Sequence, residues 1–258
     1  MMRLGLLGVM LMLSACRGSL SPLSNKLKVG QEAYVVLVAD GEDDLGDLFA
    51  SSTGGGTPFQ ITFTRVDERL PALAPDGISL AFVRSRAPGD TTELHVVVMN
   101  LLNGSERQVV PPDGMRVDRL AWSADGLEIY VHAPGQLLVS RAPPAPTAFT
   151  PVPAAALAVA ESAFVVLLGT PPVGMAEGCA GASGLCVRLR DGRVVPLAPE
   201  GTAPLRWSGD SVGYRVAEGY VVRPLAGGRA RGLSWEPPLR HPRQATLYPG
   251  SGVREGPS

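Results

Sequence analysis

The stretch that decides the fold reads AWSADG at residues 121–126, and the apolar run EIYV follows it at residues 128–131. Asp-Gly favours a tight turn, because glycine adopts a positive φ without steric strain. A short run that is rich in Ile, Tyr and Val favours a β-strand. Together they predict a turn that leads into an antiparallel strand, with Trp122 placed to pack against a neighbouring sheet.

The same turn recurs along the chain. LAPDG at residues 73–77 and RWSGD at residues 206–210 each precede another apolar run. The aspartates of the three copies are separated by 49 and then by 85 positions, and they are Asp76, Asp125 and Asp210. The larger gap equals two steps of about 42, and a period of about 40–50 residues is typical of a propeller blade. The skipped copy falls at residues 159–162 and lacks Asp-Gly.

Short apolar runs that end in Gly, Asp, Asn or Pro predict strands throughout the chain. They cover residues 34–38, 79–83, 93–99, 128–131, 163–168, 185–189, 213–216 and 219–223. The helix-favouring stretch at residues 154–161 is interpreted as a loop that leads into a strand. Short strands with frequent turns predict an all-β sandwich, barrel or propeller, and the repeat favours the propeller.

A second element recurs in phase with the turn: a strand, a glycine turn and another strand. It is clearest at residues 98–109 and 189–197. This W-S-x-D-G turn with its following strands resembles the repeats of TolB-type β-propellers over residues 31–236. The resemblance implies an all-β propeller of five or six four-stranded blades. Residues 239–248 are expected to complete the ring by pairing with the first blade. The residues of the blade turns are Asp76, Gly77, Asp125, Gly126 and Asp210.

The first sixteen residues carry a different signal. Arg3 precedes an apolar run at residues 4–13, and Ser14 and Ala15 precede Cys16. This pattern predicts a secretory signal peptide, and the run is too short for a spanning helix. The end of the run resembles the bacterial lipobox, which implies cleavage before Cys16 and lipid on its sulfur. The alternative is an ordinary signal peptide with a cysteine at the cut.

The position after Cys16 bears on the membrane that the protein reaches. Arg17 stands there instead of Asp. By resemblance to the enterobacterial sorting rule, this implies an outer membrane, facing the periplasm, if the host has one. The domains expected are a signal peptide at residues 1–15, a tether at 16–30, a TolB-like propeller at 31–250 and a disordered tail at 251–258.

The composition fits a folded protein. Hydrophobic residues make up 45% and the net charge is −1. Nothing after Leu13 approaches 18 uninterrupted apolar residues, so no second membrane segment is expected. Arginines outnumber lysines, and several cluster near the C-terminus. Because an exported protein rarely meets nucleic acid, this cluster is interpreted as a solvated face, with anionic lipid as a possible neighbour.

Two cysteines besides Cys16 flank a glycine-rich loop, Cys179 and Cys186. In an oxidising compartment this arrangement favours a disulfide. Free thiols and a metal site are the alternatives. The metal site is disfavoured because no second cysteine pair and no nearby histidine supplies further ligands.

One catalytic pattern and one acidic stretch stand out in the sequence. GDSVG at residues 209–213 matches the G-x-S-x-G nucleophile pattern, with Glu218 or Glu236 and His241 in hydrolase order. That chemistry needs a strand–turn–helix context, whereas Ser211 falls in a blade turn followed by strands. The acidic stretch at residues 40–47 lacks the spacing of a known calcium loop and is interpreted as a solvated connection.

The function expected is therefore non-catalytic, without cofactor or metal. His95 falls inside a predicted strand, and His132 and His241 are far from it in sequence. The protein is expected to be a lipid-anchored propeller that binds an envelope protein or peptide partner. One alternative is a hydrolase with acids and histidine converging at the channel mouth. Another is a solute-binding lipoprotein, which needs a deep polar pocket.

Overall fold

The computed structural model describes residues 23, 26–41, 44–90, 94–109, 115–133, 136–144, 148–156, 185–188, 194–198, 201–207, 211–224, 229–233 and 244–251. Several residues singled out above lie outside this part: Cys16, Cys179, Asp210, Glu236, His241 and the predicted strand at 163–168. Within the described part, no helix is long and apolar enough to cross a bilayer.

The described residues form β-strands and one 3-10 turn, Ala154–Ala156. The strands are β1 (Tyr34–Asp40), β2 (Gly46–Ser52), β3 (Phe59–Gln60), β4 (Glu68–Leu73), β5 (Ser79–Ser85), β6 (Leu94–Asn100), β7 (Glu106–Val109), β8 (Arg119–Trp122), β9 (Glu128–Ala133), β10 (Gln136–Arg141), β11 (Thr150–Pro151), β12 (Leu185–Arg188), β13 (Val194–Ala198), β14 (Thr202–Trp207), β15 (Ser211–Val216), β16 (Gly219–Pro224), β17 (Arg231–Leu233) and β18 (Gln244–Tyr248). The predicted all-β class is confirmed.

Most strands belong to four groups of four antiparallel strands. Sheet II is β4-β5-β6-β7 and sheet III is β8-β9-β10-β11, each in chain order. Sheet I is β18-β1-β2-β3, and sheet IV is β14-β15-β16-β17; a short parallel pairing of β14 with β18 joins them. Strands β12 and β13 pair with each other. Sequence alone indicated this repeated hairpin pattern, because each strand pair is local and its turn residues are distinctive.

Sheet I joins the two ends of the chain. β18 pairs with β1 from Tyr34 opposite Tyr248 to Val38 opposite Gln244. Of the pairing expected for residues 239–248, the part at residues 244–248 is present. The C-terminal strand supplies the inner strand of a sheet whose other three strands come from the N-terminal region.

The sheets stack face to face, and the core lies between them. Successive side chains of a strand point to opposite faces, so a strand in a stack is apolar on both. Leu80 and Phe82 of sheet II pack in a cluster with residues of sheet I, whereas Ala81 and Val83 pack in a cluster with residues of sheet III. A third cluster joins sheet I to Tyr220 and Val222 of sheet IV.

The stack has two ends, which differ in chemistry. We call the end where β4, β8 and β18 begin the start face, and the end where they finish the turn face. Trp122 Nε1, at the end of β8, donates to Ala72 O near the end of β4 at 2.9 Å. Neighbouring inner strands therefore finish at the same end, and the Asp-Gly turns share the turn face.

The two Asp-Gly turns are closed by their own side chains. Asp76 Oδ1 accepts from the backbone N of Ile78 at 2.7 Å and of Ser79 at 3.0 Å. Asp125 Oδ1 accepts from Leu127 N at 3.0 Å and from the Ser123 hydroxyl at 2.6 Å. These two hydrogen bonds hold the pKa of Asp125 below its usual value, and the bond from Ser123 has the larger effect. The side chains of Asp76 and Asp125 are therefore committed to the turns.

The folded domain begins before the predicted boundary at residue 31. Leu23, Leu27 and Val29 are buried in the cluster between sheets I and II. Their sequence, SPLSNKLKVG, is short and polar between the apolar positions, so it shows no period that marks a strand or helix. The packing of these three side chains puts Leu23, Leu27 and Val29 in the core, at positions where the sequence favoured a tether.

Candidate functional site

Charged residues from three separate segments meet at the start face. Asp67 and Arg69 stand where β4 begins, Arg116 and Asp118 precede β8, and Asp90 lies between β5 and β6. Arg69 interacts electrostatically with the other four residues. Loops carried on stacked sheets are held in fixed relative positions, which is the usual way in which binding residues are presented.

Arg69 is the central residue of this cluster. It is partly buried, and burial lowers the pKa of its guanidinium while the charge of Asp67 raises it. Arginine stays charged in proteins even so. A partly desolvated cation attracts anionic or hydrogen-bond-accepting groups more strongly than a fully hydrated one. Arg69 is therefore the strongest candidate anchor for a ligand at this face.

The strand that carries Arg69 is bulged beside it. The pairing of β4 with β5 shifts register between Arg69 and Ala72, and Leu70 has φ 54°. Leu70 N donates to the side-chain oxygen of Gln244 in β18. A non-glycine residue in this region is uncommon, and bulges concentrate next to functional sites, where they re-aim side chains. The bulge distinguishes the beginning of β4 from an ordinary inner strand.

Asp118 also lies near a histidine. His132 Nδ1 is 4.0 Å from Asp118 Oδ2, and Arg116 Nε is 3.4 Å from Asp118 Oδ1. Asp118 N donates to His132 O at 2.9 Å, which fixes the two backbones side by side. A carboxylate beside a histidine is one component of general acid–base sites. The sequence gives His132 no partner, because Asp118, just before β8, meets His132 of β9 only when the hairpin forms.

A partly buried ion network lies next to this cluster, on the strands of sheet II. Arg84 Nε donates to Glu68 Oε1 at 2.8 Å, and its two terminal nitrogens donate to the two oxygens of Glu106 at 2.6 and 2.9 Å. Thr64 Oγ1 donates to Glu68 at 3.2 Å. Burial raises the pKa of Glu68, against the opposing effect of Arg84. For Arg84, the bonds and charges of the two glutamates outweigh burial and raise its pKa.

The predicted nucleophile is not on a nucleophile elbow. Ser211 begins β15 opposite Pro224, level with the beginning of β18, and a strand follows it where a nucleophile elbow requires a helix. Glu218 lies in the turn that joins the other end of β15 to β16. The six residues of β15 separate Ser211 from Glu218 by roughly 15–20 Å. Glu218 is therefore not an acid partner of Ser211.

The acidic stretch at residues 40–47 does not form a continuous loop. Asp40 ends β1, and Asp47 lies inside β2, buried, where it accepts from Gln60 Nε2 at 2.9 Å. Across the described residues, no group of three or more His, Cys, Asp or Glu side chains is arranged to hold a metal ion. His95 lies in β6, where its Nε2 accepts from Arg86 Nε at 2.8 Å.

The disulfide between Cys179 and Cys186 stays a prediction. Cys186 lies in β12, and Cys179 falls outside the described residues.

A sequence signal for the start face does exist. DER at residues 67–69 and DR at residues 118–119 stand at the beginnings of two inner strands, and Arg69 and Arg119 are 50 positions apart. The Asp-Gly turns recur at nearly the same interval, so the acid–arginine pairs are part of the repeat. The turn pattern was easier to see because Asp-Gly has a known local conformation, whereas an Asp-Arg pair has none.

No protein-family model and no curated protein matches the sequence. Among solved structures, TolB from Acinetobacter baumannii matches with 13% identity and a TM-score of 0.40, over 78% of this chain and 52% of that one. The nidogen/laminin complex matches with 9% identity and a TM-score of 0.42, over 84% and 98%. Dipeptidyl peptidase 4 from Porphyromonas gingivalis matches with 12% identity and a TM-score of 0.37, over 77% and 37%. The chain thus spans about half the length of the TolB structure, and likeness this distant transfers no activity.

Proposed function

We propose that this protein is a non-catalytic β-propeller of five or six blades, anchored in the bacterial envelope by lipid on Cys16, that binds a protein partner through its start face. The observation that carries the proposal is the stack of four-stranded sheets with charged residues gathered at one end. Closure of sheet I by β18 supports a ring, because propellers commonly complete one blade with strands from both chain ends.

The composition of the start face favours a protein partner. The carboxylates of Asp67, Asp90 and Asp118 offset the arginines, so the face lacks the single positive sign that nucleic acid requires. Phe63, in the loop before β4, has 65% of its surface exposed. Exposed aromatic and arginine side chains are the commonest energetic centres of protein interfaces. Phe63 and Arg69 are therefore the residues most expected to contact a partner.

The proposal is tested by capture from detergent-solubilised envelope of the producing bacterium. We expect Phe63→Ala to weaken retention of a protein partner by roughly tenfold or more, the usual effect of truncating an interface centre. Leu127→Ala is the matched control, because Leu127 is also an exposed apolar residue, 59% exposed, but lies at the turn face. Equal capture by both variants and the parent contradicts binding at the start face.

The lipid anchor has its own test. Cys16→Ala should release the protein from membrane fractions or block its processing. Unchanged processing and membrane association in that variant contradict the anchor.

The Asp118–His132 pair favours a second candidate function, hydrolysis at the start face. It is separated from the binding function by assaying the purified chain on chromogenic esters and peptides. Activity that persists in Ser211→Ala but disappears in His132→Ala would identify the protein as an enzyme. Equal, background turnover by the parent chain and His132→Ala would leave binding as the function.

A further inference from the structure

We propose that the turn face lies against the bilayer, with Lys26 and Lys28 at the lipid headgroups, so that the start face points away from the membrane. This inference rests on the lipid anchor at Cys16 proposed above. It concerns which surface meets lipid, a question that the anchor alone leaves open.

The segment that leads into β1 lies at the turn face. Tyr248, the last residue of β18, donates its hydroxyl to Gly30 O at 2.9 Å. Tyr34, the first residue of β1, donates its hydroxyl to Gly77 O in an Asp-Gly turn at 2.6 Å. Ser251 N donates to Gln31 O at 3.1 Å. The segment around residues 30–34 is therefore held at the turn face by bonds to two separate sheets.

The link from this segment to the anchor is short. Leu23 is already buried in the core, so only seven residue steps separate it from Cys16. Fully extended, they reach at most about 25 Å. A seven-residue strand such as β5 is itself about 23 Å long, before the loops at its two ends are added. An anchor of this reach keeps the surface around Leu23 and residues 26–30 close to the membrane.

Residue 23 and residues 26–30, which we call the exit segment, carry basic side chains that suit lipid headgroups. Lys26 and Lys28 are the only lysines of the chain, and both are exposed. Lys28 Nζ is 2.6 Å from Glu32 with 69% of its side chain exposed, and Lys26 Nζ lies 4.5 Å from the ring centre of Phe59. Basic residues next to a lipid anchor strengthen attachment to anionic membranes.

Apolar side chains at the same face add to this. Leu102, in the turn from β6 to β7, and Leu127, in the turn from β8 to β9, are 39% and 59% exposed. Both turns lie at the turn face, because Leu101 N donates to Ile78 O, beside the Gly77 turn, at 2.9 Å and the Gly126 turn lies next to Pro75. Exposed leucines on this face suit a surface that rests in the headgroup region.

The test uses amine chemistry, because Lys26 and Lys28 are the only lysines of the sequence. The full lipidated chain is reconstituted into vesicles of phosphatidylethanolamine and phosphatidylglycerol and treated with a short amine-to-amine crosslinker. Arg65→Lys adds one amine at the start face, where Arg65 is exposed, and serves as the internal control. We expect phosphatidylethanolamine adducts on the peptides with Lys26 or Lys28, and none at position 65. In a second variant, Leu127→Lys, we expect an additional adduct at position 127.

The outcomes separate this inference from the anchor on which it rests. If the chain floats with the vesicles and the adducts are at position 65, or are equal at both faces, the orientation is wrong and the anchor stands. If the chain floats and no lysine forms an adduct, the turn face does not contact headgroups and the inference is also wrong. If the parent chain does not float any better than Cys16→Ala, the anchor itself fails.

Discussion

At the scale of single residues, the two Asp-Gly turns look equivalent in sequence but differ in their surroundings. Gly77 and Gly126 have φ of 63° and 72°, where side chains are strained. A Cβ on Gly77 would lie 2.6 Å from the ring of Tyr248, whereas one on Gly126 would meet only Pro75 Cδ at 3.6 Å. The first glycine therefore serves both the turn and the contact between sheets I and II.

These surroundings predict different costs for the same substitution. Gly126→Ala should lower the free energy of unfolding by about 1 kcal/mol, the cost of left-handed backbone for an L-residue. Gly77→Ala should cost about 1–3 kcal/mol more, because the buried Tyr248 ring must move. Urea denaturation of both variants measures the difference. Equal costs would show that the ring of Tyr248 gives way freely.

Glu68 predicts a pH dependence of stability. Its pKa is raised in the folded state, chiefly by burial, so between its ordinary value and the raised value the folded chain binds more protons than the unfolded chain. Stability from this group is then complete at low pH and falls as the pH rises through the folded-state pKa. Glu68→Gln should flatten that fall. Denaturation curves of both proteins from about pH 5 to about pH 8 would show it; parallel curves would contradict the shift.

At the scale of elements, the sequence predicted most of the local structure, namely the turns and the strands beside them. The turns at Asp76 and Asp125 and the strands beside them follow from Asp-Gly and from runs of Val, Tyr and Ile. The start-face cluster does not follow from any local pattern, because Arg69, Asp90 and Asp118 come together only when sheets II and III stack. The exit segment was also missed, since its buried leucines alternate with polar residues in no regular period.

The pairing of β18 with β1 predicts that the C-terminal strand is indispensable. A chain that ends before Gln244 would lose the inner strand of sheet I, the Tyr248 bond to Gly30 and the Gln244 bond to Leu70. We expect it to fail to fold, measured as loss of cooperative unfolding. Removing only residues 252–258 is the control and should leave the unfolding midpoint unchanged. A stable chain without β18 would contradict the assignment of sheet I.

At the scale of the whole molecule, we assign the two ends of the stack to two different contacts, one with the membrane and one with a partner. The turn face carries residues 30–34, both lysines, the exposed leucines and the carboxylates of the two Asp-Gly turns, and we assign it to the membrane. The start face carries Phe63, Arg69 and the mixed charges, and we assign it to a partner. The sequence shows these residues but does not show which of them share a face, because that depends on the direction of the strands in the stack.

The joining of both chain ends in sheet I also sets an order of events in time. β1 can pair with its second neighbour, β18, only after Tyr248 and the rest of β18 have been synthesised. Ribosomes add ~5–20 residues per second, so β1 keeps an uncovered edge for roughly 10–40 s while the remaining 200 or so residues are made. An uncovered edge strand readily pairs with another chain. The nascent protein is therefore most vulnerable to aggregation before its last strand emerges, and a chaperone that covers β1 during that interval would raise the yield.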